Sequence, residues 1–313
     1  MSMSLSQARV IDPVLTEVAQ GYRHADRVGS TLFPRVEVLQ RGGQVIEFGR
    51  ESFRLYNARR APGASTLNIG FGYEGKPFSL VQDALNAPIP REHIQDAKTV
   101  PDIDLGRRAT NTCMMTLTLS LEWEQAQLAT NAANYDNDHK VALAGTSQWS
   151  SPDSDPLADV DEAKEAVRRT AGVDPNRMVI SKPVFNALKV HPKIVDRFRY
   201  TTADSITARM LASFFDLDEL AVGRAATLAE PRADAPFVDV WGNVAVLAYV
   251  AVASQGVEEP SYGYTYTLKG HPFVEQPFWD NDRKSWVYGV TYERVPVLTG
   301  ISSGFLFQNV VAK

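Results

Sequence analysis

Residues able to do chemistry are scattered along these 313 residues, and none falls into a working constellation. Gly70-Phe71-Gly72-Tyr73-Glu74-Gly75 has the glycine spacing of a dinucleotide site. Such a site needs glycines that follow a strand and open a helix, so that the helix N-terminus meets a pyrophosphate. Here Lys76-Pro77-Phe78-Ser79-Leu80 follows, which reads as extended chain, and no βαβ unit surrounds it. A glycine loop is expected instead. Gly300-Ile301-Ser302-Ser303-Gly304 has the spacing of a nucleophile elbow. The elbow needs a strand-to-helix turn and a histidine further down the chain. The last histidine, His271, lies upstream, so a turn between terminal strands is expected.

Two acidic groups could ligate a metal: Asp136 and Asp138 with His139, and Asp153, Asp155, Asp159 and Asp161. The second departs from a calcium loop, because Leu157 takes the fifth position and Ala158 stands where glycine is needed. Solvated carboxylates and a helix cap are expected. Cys113 would be a nucleophile only beside a base that lowers its pKa. It falls on an apolar helical stripe and reads as a buried thiol. His24, His93, His139, His191 and His271 are scattered, and His191 before Pro192 reads as a helix stop. The expectation is no catalytic, cofactor-binding or metal-ligating residue, and no cofactor.

Composition narrows the class. Hydrophobic content of 44% and charged content of 22% are ordinary for a soluble globular chain. No run approaches the roughly 20 apolar residues of a membrane span. The first residues lack the basic and apolar regions of a secretory signal. One cysteine excludes an intrachain disulfide and fits a reducing compartment. A net charge of −5 argues against a dedicated nucleic-acid binder.

The elements that would position these residues read as follows. Val36–Leu39 and Val45–Phe48 around Gly42-Gly43 predict a hairpin, with a third run at Phe53–Tyr56. Ala58 to Gly75 has no compact signature, and loops of that length are usually functional or disordered. Residues 104–135 are in conflict. Met115 to Leu121 alternates like a strand, while Asp104 as a cap and the Glu-, Gln- and Ala-rich end favour a helix. As a helix, Cys113, Leu117, Leu121 and Leu128 share the buried stripe, and Thr118 and Glu122 point away. Tyr135 to Pro156 reads as a polar connector. Asp159 is expected to cap a helix over Val160–Thr170, and Ser205–Phe215 is another helix. Val238–Trp241 and Val244–Leu247 around Gly242-Asn243 predict a second hairpin.

Between Val173 and Arg224 lies the most telling stretch. Asp174-Pro175-Asn176 is turn chemistry and Met178–Ile180 a short buried strand. Ser181 is placed to cap a helix with Pro183 in its first turn, and Val184, Phe185 and Leu188 fall on one face. His191-Pro192, then Ile194-Val195-Asp196-Arg197-Phe198-Arg199-Tyr200-Thr201, then Leu217 to Arg224 follow. This pattern resembles the central domain of tailed-bacteriophage major capsid proteins. Trp286–Val297 and Gly304–Val311 resemble their C-terminal strands. The likeness covers roughly residues 158–313 and favours the helix over 105–133.

The resemblance implies an α+β coat-protein fold. An N-terminal arm would occupy 1–41 and an extended β-hairpin loop 42–86. A peripheral domain with a long spine helix would take 87–157 and 262–313, and an axial domain 158–261. It implies a structural protein, not an enzyme, that forms pentamers and hexamers of an icosahedral shell around double-stranded DNA. Its partners would be itself, scaffolding, portal and possibly decoration proteins, with no membrane; the N-terminal region leaves little room for a fused scaffolding segment. It would reside in the virion after assembly in the host cytoplasm. The alternatives are the shell of a bacterial cargo-enclosing nanocompartment, and a soluble enzyme whose site forms only in three dimensions. Some members of the family join a lysine of the extended loop to an asparagine near the terminal strands. Lys76 and Asn309 lie in suitable regions but match no motif, so no such role is assigned.

Overall fold

The conflict over residues 104–135 resolves into one helix, Leu105–Thr130, capped by Asp104 Oδ1 accepting from Arg107 N at 3.0 Å. Its threonines, unfavourable in a helix because of β-branching, turn their hydroxyls back on the helix. Thr110, Thr112, Thr116 and Thr118 Oγ1 donate to the carbonyls of Gly106, Arg108, Thr112 and Met114 at 3.0, 2.9, 3.3 and 2.7 Å. The polar atoms are thus satisfied, and the alternating apolar pattern loses to helical packing. Ala109, Cys113, Leu117, Ala126 and Ala129 are buried, and Leu121 and Leu128 are half-buried.

This computed structural model describes residues 10–46, 59, 75–97, 104–198, 206–232, 234–251 and 261–312. The run Phe53–Tyr56 and most of the Ala58–Gly75 stretch lie outside them. In chain order come α1 (Pro13–Gly21), β1 (Arg35–Val38), β2 (Gly42–Ile46), β3 (Gly75–Ser79), β4 (Val81–Pro90), α2 (Arg91–Ala97) and the long helix, α3. Then follow β5 (Lys140–Ala142), α4 (Pro156–Ala171), β6 (Arg177–Ser181), α5 (Lys182–Val190), α6 (Pro192–Phe198), α7 (Ala208–Phe214) and β7 (Glu219–Gly223). The remainder is β8 (Ala226–Leu228), β9 (Phe237–Asp239), β10 (Val244–Ala248), β11 (Gly263–Leu268), β12 (Phe273–Val274), β13 (Phe278–Asp280), β14 (Ser285–Leu298) and β15 (Gly304–Gln308).

Two sheets carry the fold. In the first, β14 is the spine: β4 pairs antiparallel along one side of it, from Pro90 opposite Ser285 to Val81 opposite Arg294. Strands β13, β12 and β11 share its other side, and β1 adds parallel to β11. Helix α3 lies over this sheet with Cys113, Met114 and Leu117 against Val290 and Tyr292, and α1 adds Leu15 and Ala19. The second sheet runs β5-β15-β10-β6-β7. All five residues of β10 are buried, as befits a central strand covered on both faces. Around it pack Val160, Val167, Leu188, Ile194, Leu211 and Phe215 from the helices.

Several sequence expectations change. The first hairpin does not form: β1 pairs with β11, while β2 pairs antiparallel with β3, Gly42 opposite Ser79. Gly-Gly at 42–43 therefore opens a ribbon rather than closing a turn. The second hairpin also fails, since β9 pairs with β8 and β10 with β6 and β15. Asp155, not Asp159, caps α4, and Asp159 instead accepts from Trp149 Nε1 at 2.7 Å. The stretch 135–156 is no mere polar connector, because Trp149 is fully buried in the second core against Phe215 and Phe307. Ser181 sits at the start of α5, yet its hydroxyl makes no capping bond. The second sheet gathers strands from both sides of the boundaries expected at 157/158 and 261/262: β5 and β15 pair into it beside β6, β7 and β10.

Candidate functional site

The chemistry-bearing residues of the sequence are put to structural use. Ser303 is buried in the turn Ile301–Ser303, and its Oγ donates to Gly300 O at 2.6 Å. Asp136 Oδ1 accepts from His139 N at 2.9 Å and meets His139 Nδ1 at 2.6 Å, while His139 Nε2 meets Thr170 Oγ1 at 2.7 Å. That is a turn tied to α4. Asp155 pairs with Lys193 at 3.0 Å. Among the described residues no group of His, Cys, Asp or Glu is arranged to hold a metal. Cys113 is buried, and desolvation pushes its thiol up, away from the reactive thiolate. His191 is buried with Nε2 beside Ser154 Oγ and Ser151 O, both at 3.1 Å. Gly75 opens β3, and Gly70–Glu74 lie outside the described residues. Lys76 is in β3 and Asn309 just past β15, on different sheets.

What the fold does bring together is a buried polar joint. Glu122, expected to point outward, is 2% exposed. Its Oε1 accepts from Val28 N at 3.0 Å and Trp241 Nε1 at 2.7 Å, and its Oε2 accepts from Gly29 N at 2.8 Å. Three N–H donors from two remote segments thus converge on one carboxylate of α3. Burial raises its pKa, opposed by those hydrogen bonds and by the Arg27 charge. One turn further on, Gln125 Nε2 donates to Thr265 Oγ1 of β11 at 2.9 Å. A Cβ at Gly29 would run into the Gln125 carboxamide and crowd the Glu122 carboxylate, so any larger residue here must displace those side chains. Beside it Arg177 of β6 donates to Thr31 O at 3.0 Å, and Leu32 and Phe33 are fully buried. The segment 28–33 is therefore clamped between the long helix and both sheets.

A second joint holds the root of the β2–β3 ribbon. Arg41 Nε and Nη2 donate to Glu293 Oε2 and Oε1 at 2.7 and 2.9 Å, a two-pronged pair. Hydrogen bonding to Arg41 holds the Glu293 carboxyl below the usual range against the effect of burial. Leu80 N donates to Arg41 O at 2.8 Å. Phe78 stacks on Tyr266 with centroids 4.5 Å apart, and burial pushes the Tyr266 hydroxyl up to about 12. Behind it lies Arg294, 1% exposed, bound to Asp83 of β4 at 3.0 Å, Glu124 of α3 at 3.3 Å and Leu117 O at 3.1 Å. One guanidinium ties the sheet to the middle of the helix.

These joints are mechanical. They fix a long helix, a clamped N-terminal segment and the root of the β2–β3 ribbon. Residues 125–289 match the family described as phage major capsid protein E. The major capsid protein of Burkholderia phage BcepMu is 33% identical, over 98% of this chain and 98% of that one. The chain belongs to the phage major capsid protein family. A phage-related protein from Bordetella bronchiseptica RB50, known from a crystal structure, is 46% identical with a TM-score of 0.83, over 97% of this chain and 99% of that one. A chain from Microbacterium phage Oxtober96 shares the fold at 11% identity, with a TM-score of 0.55, over 98% of this chain and 95% of that one.

The capsid protein is thus a coat protein that forms an icosahedral shell, with a structural role and a place in the virion. Its working surface is its outside, and large apolar side chains stand there. Trp123 and Met115 lie on the outer face of α3, at 48% and 46% exposure. Leu228 and Phe237, paired across the β8–β9 ribbon, are both exposed. Sequence reasoning missed Glu122, Arg41 and Glu293. Glu122 could have been found only by following the buried stripe as it drifts from Leu117 to Gln125, Ala126 and Ala129. Arg41 and Glu293 carry no local signal, being 252 positions apart.

Proposed function

We propose that this capsid protein forms the pentamers and hexamers of a head that encloses double-stranded DNA, with the β2–β3 ribbon laid over a neighbouring copy. The observation that carries the reading is the ribbon's root. A two-pronged Arg41–Glu293 pair and the Phe78–Tyr266 stack fix the direction in which the ribbon leaves the body. Fixing a projecting element before contact lowers the ordering cost of association. In this reading the six-stranded sheet with α3 is the peripheral domain, and the five-stranded sheet with α4–α7 is the axial domain. Strands β5 and β15 belong to the latter.

Scaffolding, portal and decoration proteins are the further partners, and assembly takes place in the host cytoplasm before the shell is filled. A net charge of −5 fits a wall that contains DNA without sequence-specific contact. Among the described residues no helix is long and apolar enough to cross a membrane. The test is expression of the full chain with and without its scaffolding protein, followed by negative-stain electron microscopy and light scattering. Closed shells or capsomers are expected. A monomer under every assembly condition overturns the reading.

A further inference from the structure

Strand β4 pairs with β14 on one side, and among the described residues nothing pairs with its other side. Which backbone groups face that free edge follows from the ladder. Arg91 N, just beyond β4, donates to Lys284 O at 3.0 Å, so the odd-numbered positions face β14. Gly289, opposite Asn86, gives its carbonyl to Glu275 N at 2.9 Å, and Glu293, opposite Gln82, gives its N–H to His271 Nδ1 at 3.1 Å. Both turn away from β4. Gln82 and Asn86 therefore sit in pairs without hydrogen bonds, and with Ala84 they point N–H and C=O outward. Such a row is a template for another strand. The next position in the row is Pro88, which has no N–H, so the row ends there.

We propose that this edge pairs with itself: β4 of one copy and β4 of a second copy run antiparallel about a twofold axis at Ala84, joining two sheets across the shell. The proposal rests on self-association as a capsid protein. Its argument is the register. With Ala84 opposite Ala84, Gln82 faces Asn86 of the second copy and Asn86 faces Gln82, each pair exchanging two backbone hydrogen bonds. The next pair out would be Leu80 with Pro88 of the second copy. Neither can donate, since Leu80 N is already bound to Arg41 O at 2.8 Å and Pro88 has no N–H. One register thus matches available donors with available acceptors and stops at both ends where they run out. Side chains agree. Gln82, Ala84 and Asn86 are exposed, and alanine stands where the two strands approach on the axis. On the helix side, Leu85 would lie opposite Asp83 of the second copy, whose carboxylate is bound by Arg294 at 3.0 Å. Val81, 56% exposed, would lie opposite Ala87 of the second copy and gain apolar cover. The contact is isologous, as a twofold requires. It is too small to hold two copies alone against the ~1,600 Å² of a stable pair, so it acts within the shell.

The test is cysteine cross-linking in assembled particles of the full chain. The native Cys113 is buried and stays apart. In the proposed register the Cα atoms at position 84 lie about 5.5 Å apart, within disulfide range, whereas the two positions 82 lie about 13 Å apart along the strands. Ala84→Cys shells are expected to give disulfide-linked dimers, Gln82→Cys and Asn86→Cys shells none, and the double variant Gln82→Cys/Asn86→Cys dimers again. Shells without dimers for Ala84→Cys, or equal dimers for all three single variants, overturn the proposal. Residue-resolved hydrogen exchange on the unmodified protein needs no variant to assemble. The amides of Gln82, Ala84 and Asn86 should exchange roughly tenfold or more slowly in shells than in free subunits, while those of Asp83 and Leu85 are protected in both. Equal exchange at the three even positions overturns the pairing. Absence of any particle would count against the capsid reading instead, so the two failures are distinct.

Discussion

Trp241 and Glu122 meet inside the protein through one hydrogen bond of 2.7 Å, Nε1–H to Oε1. The bond joins the turn before β10 to the long helix, and the same carboxylate receives the N–H groups of Val28 and Gly29. Three parts of the chain depend on one side chain. Glu122→Ala would leave all three donors buried without an acceptor and should cost about 3 kcal/mol. Glu122→Gln should fall between, because its amide nitrogen would face a donor. Urea unfolding of isolated subunits measures both. A loss under half a kcal/mol for Glu122→Ala would show that the donors find other acceptors.

Gly29→Ala should break the same joint from the other side, since the new methyl would meet Gln125 Oε1. Combined with Glu122→Ala, its cost should be well below the sum of the two single costs, because both act on one network. A double-mutant cycle reads this directly, and simple additivity would separate the two residues.

The ribbon root should respond to acid. Arg41 holds the Glu293 pKa below its unfolded value, so the pair contributes stability above the unfolded carboxylate range. That contribution is lost as pH falls through the lowered folded pKa. The unmodified protein should therefore lose more stability than Arg41→Ala between pH 5 and pH 3, the window about the ordinary carboxylate pKa. Parallel pH profiles would show that the pair contributes nothing in solution.

Arg294→Met should cost about 3 kcal/mol, because it strips Asp83, Glu124 and the Leu117 carbonyl of their shared donor. Adding Asp83→Asn should recover part of that loss, as one unpaired carboxylate is removed. Thermal unfolding of the single and double variants decides; no recovery would mean that Asp83 finds adequate solvation by itself.

On the helix, Leu117 is 3% exposed and Leu119 half-buried. Leu117→Lys should destabilise severely by placing an unpaired charge in the core. Leu119→Lys should be mild, since a lysine there can reach solvent along its stem. Leu117→Pro should cost about 3 kcal/mol or more by removing a mid-helix hydrogen bond. Equal damage from Leu117→Lys and Leu119→Lys would contradict the observed face.

The sequence by itself determined what short-range physics controls. Asp104 and the Ala- and Glu-rich end favour a helix, but the strand-like alternation of Met115 to Leu121 leaves the segment open, and only the packing of Cys113, Met114 and Leu117 on Val290 and Tyr292 decides it. Pro183, His191-Pro192 and the apolar face of Val184, Phe185 and Leu188 set the limits of α5. The glycine motifs at 70–75 and 300–304 could be set against enzyme chemistry because each lacked the elements such chemistry needs. Tertiary structure decided everything that required two distant segments to choose each other. Gly42-Gly43 and Gly242-Asn243 look like hairpin turns, yet β1 prefers β11, and β10 lies between β6 and β15, since central positions bury more apolar surface than a local hairpin can. Glu122 is inside because three buried N–H groups need an acceptor there, a demand that no pattern around residue 122 records. Arg41 and Glu293 pair across nearly the whole chain, and only the folded sheet brings their charges within bonding distance.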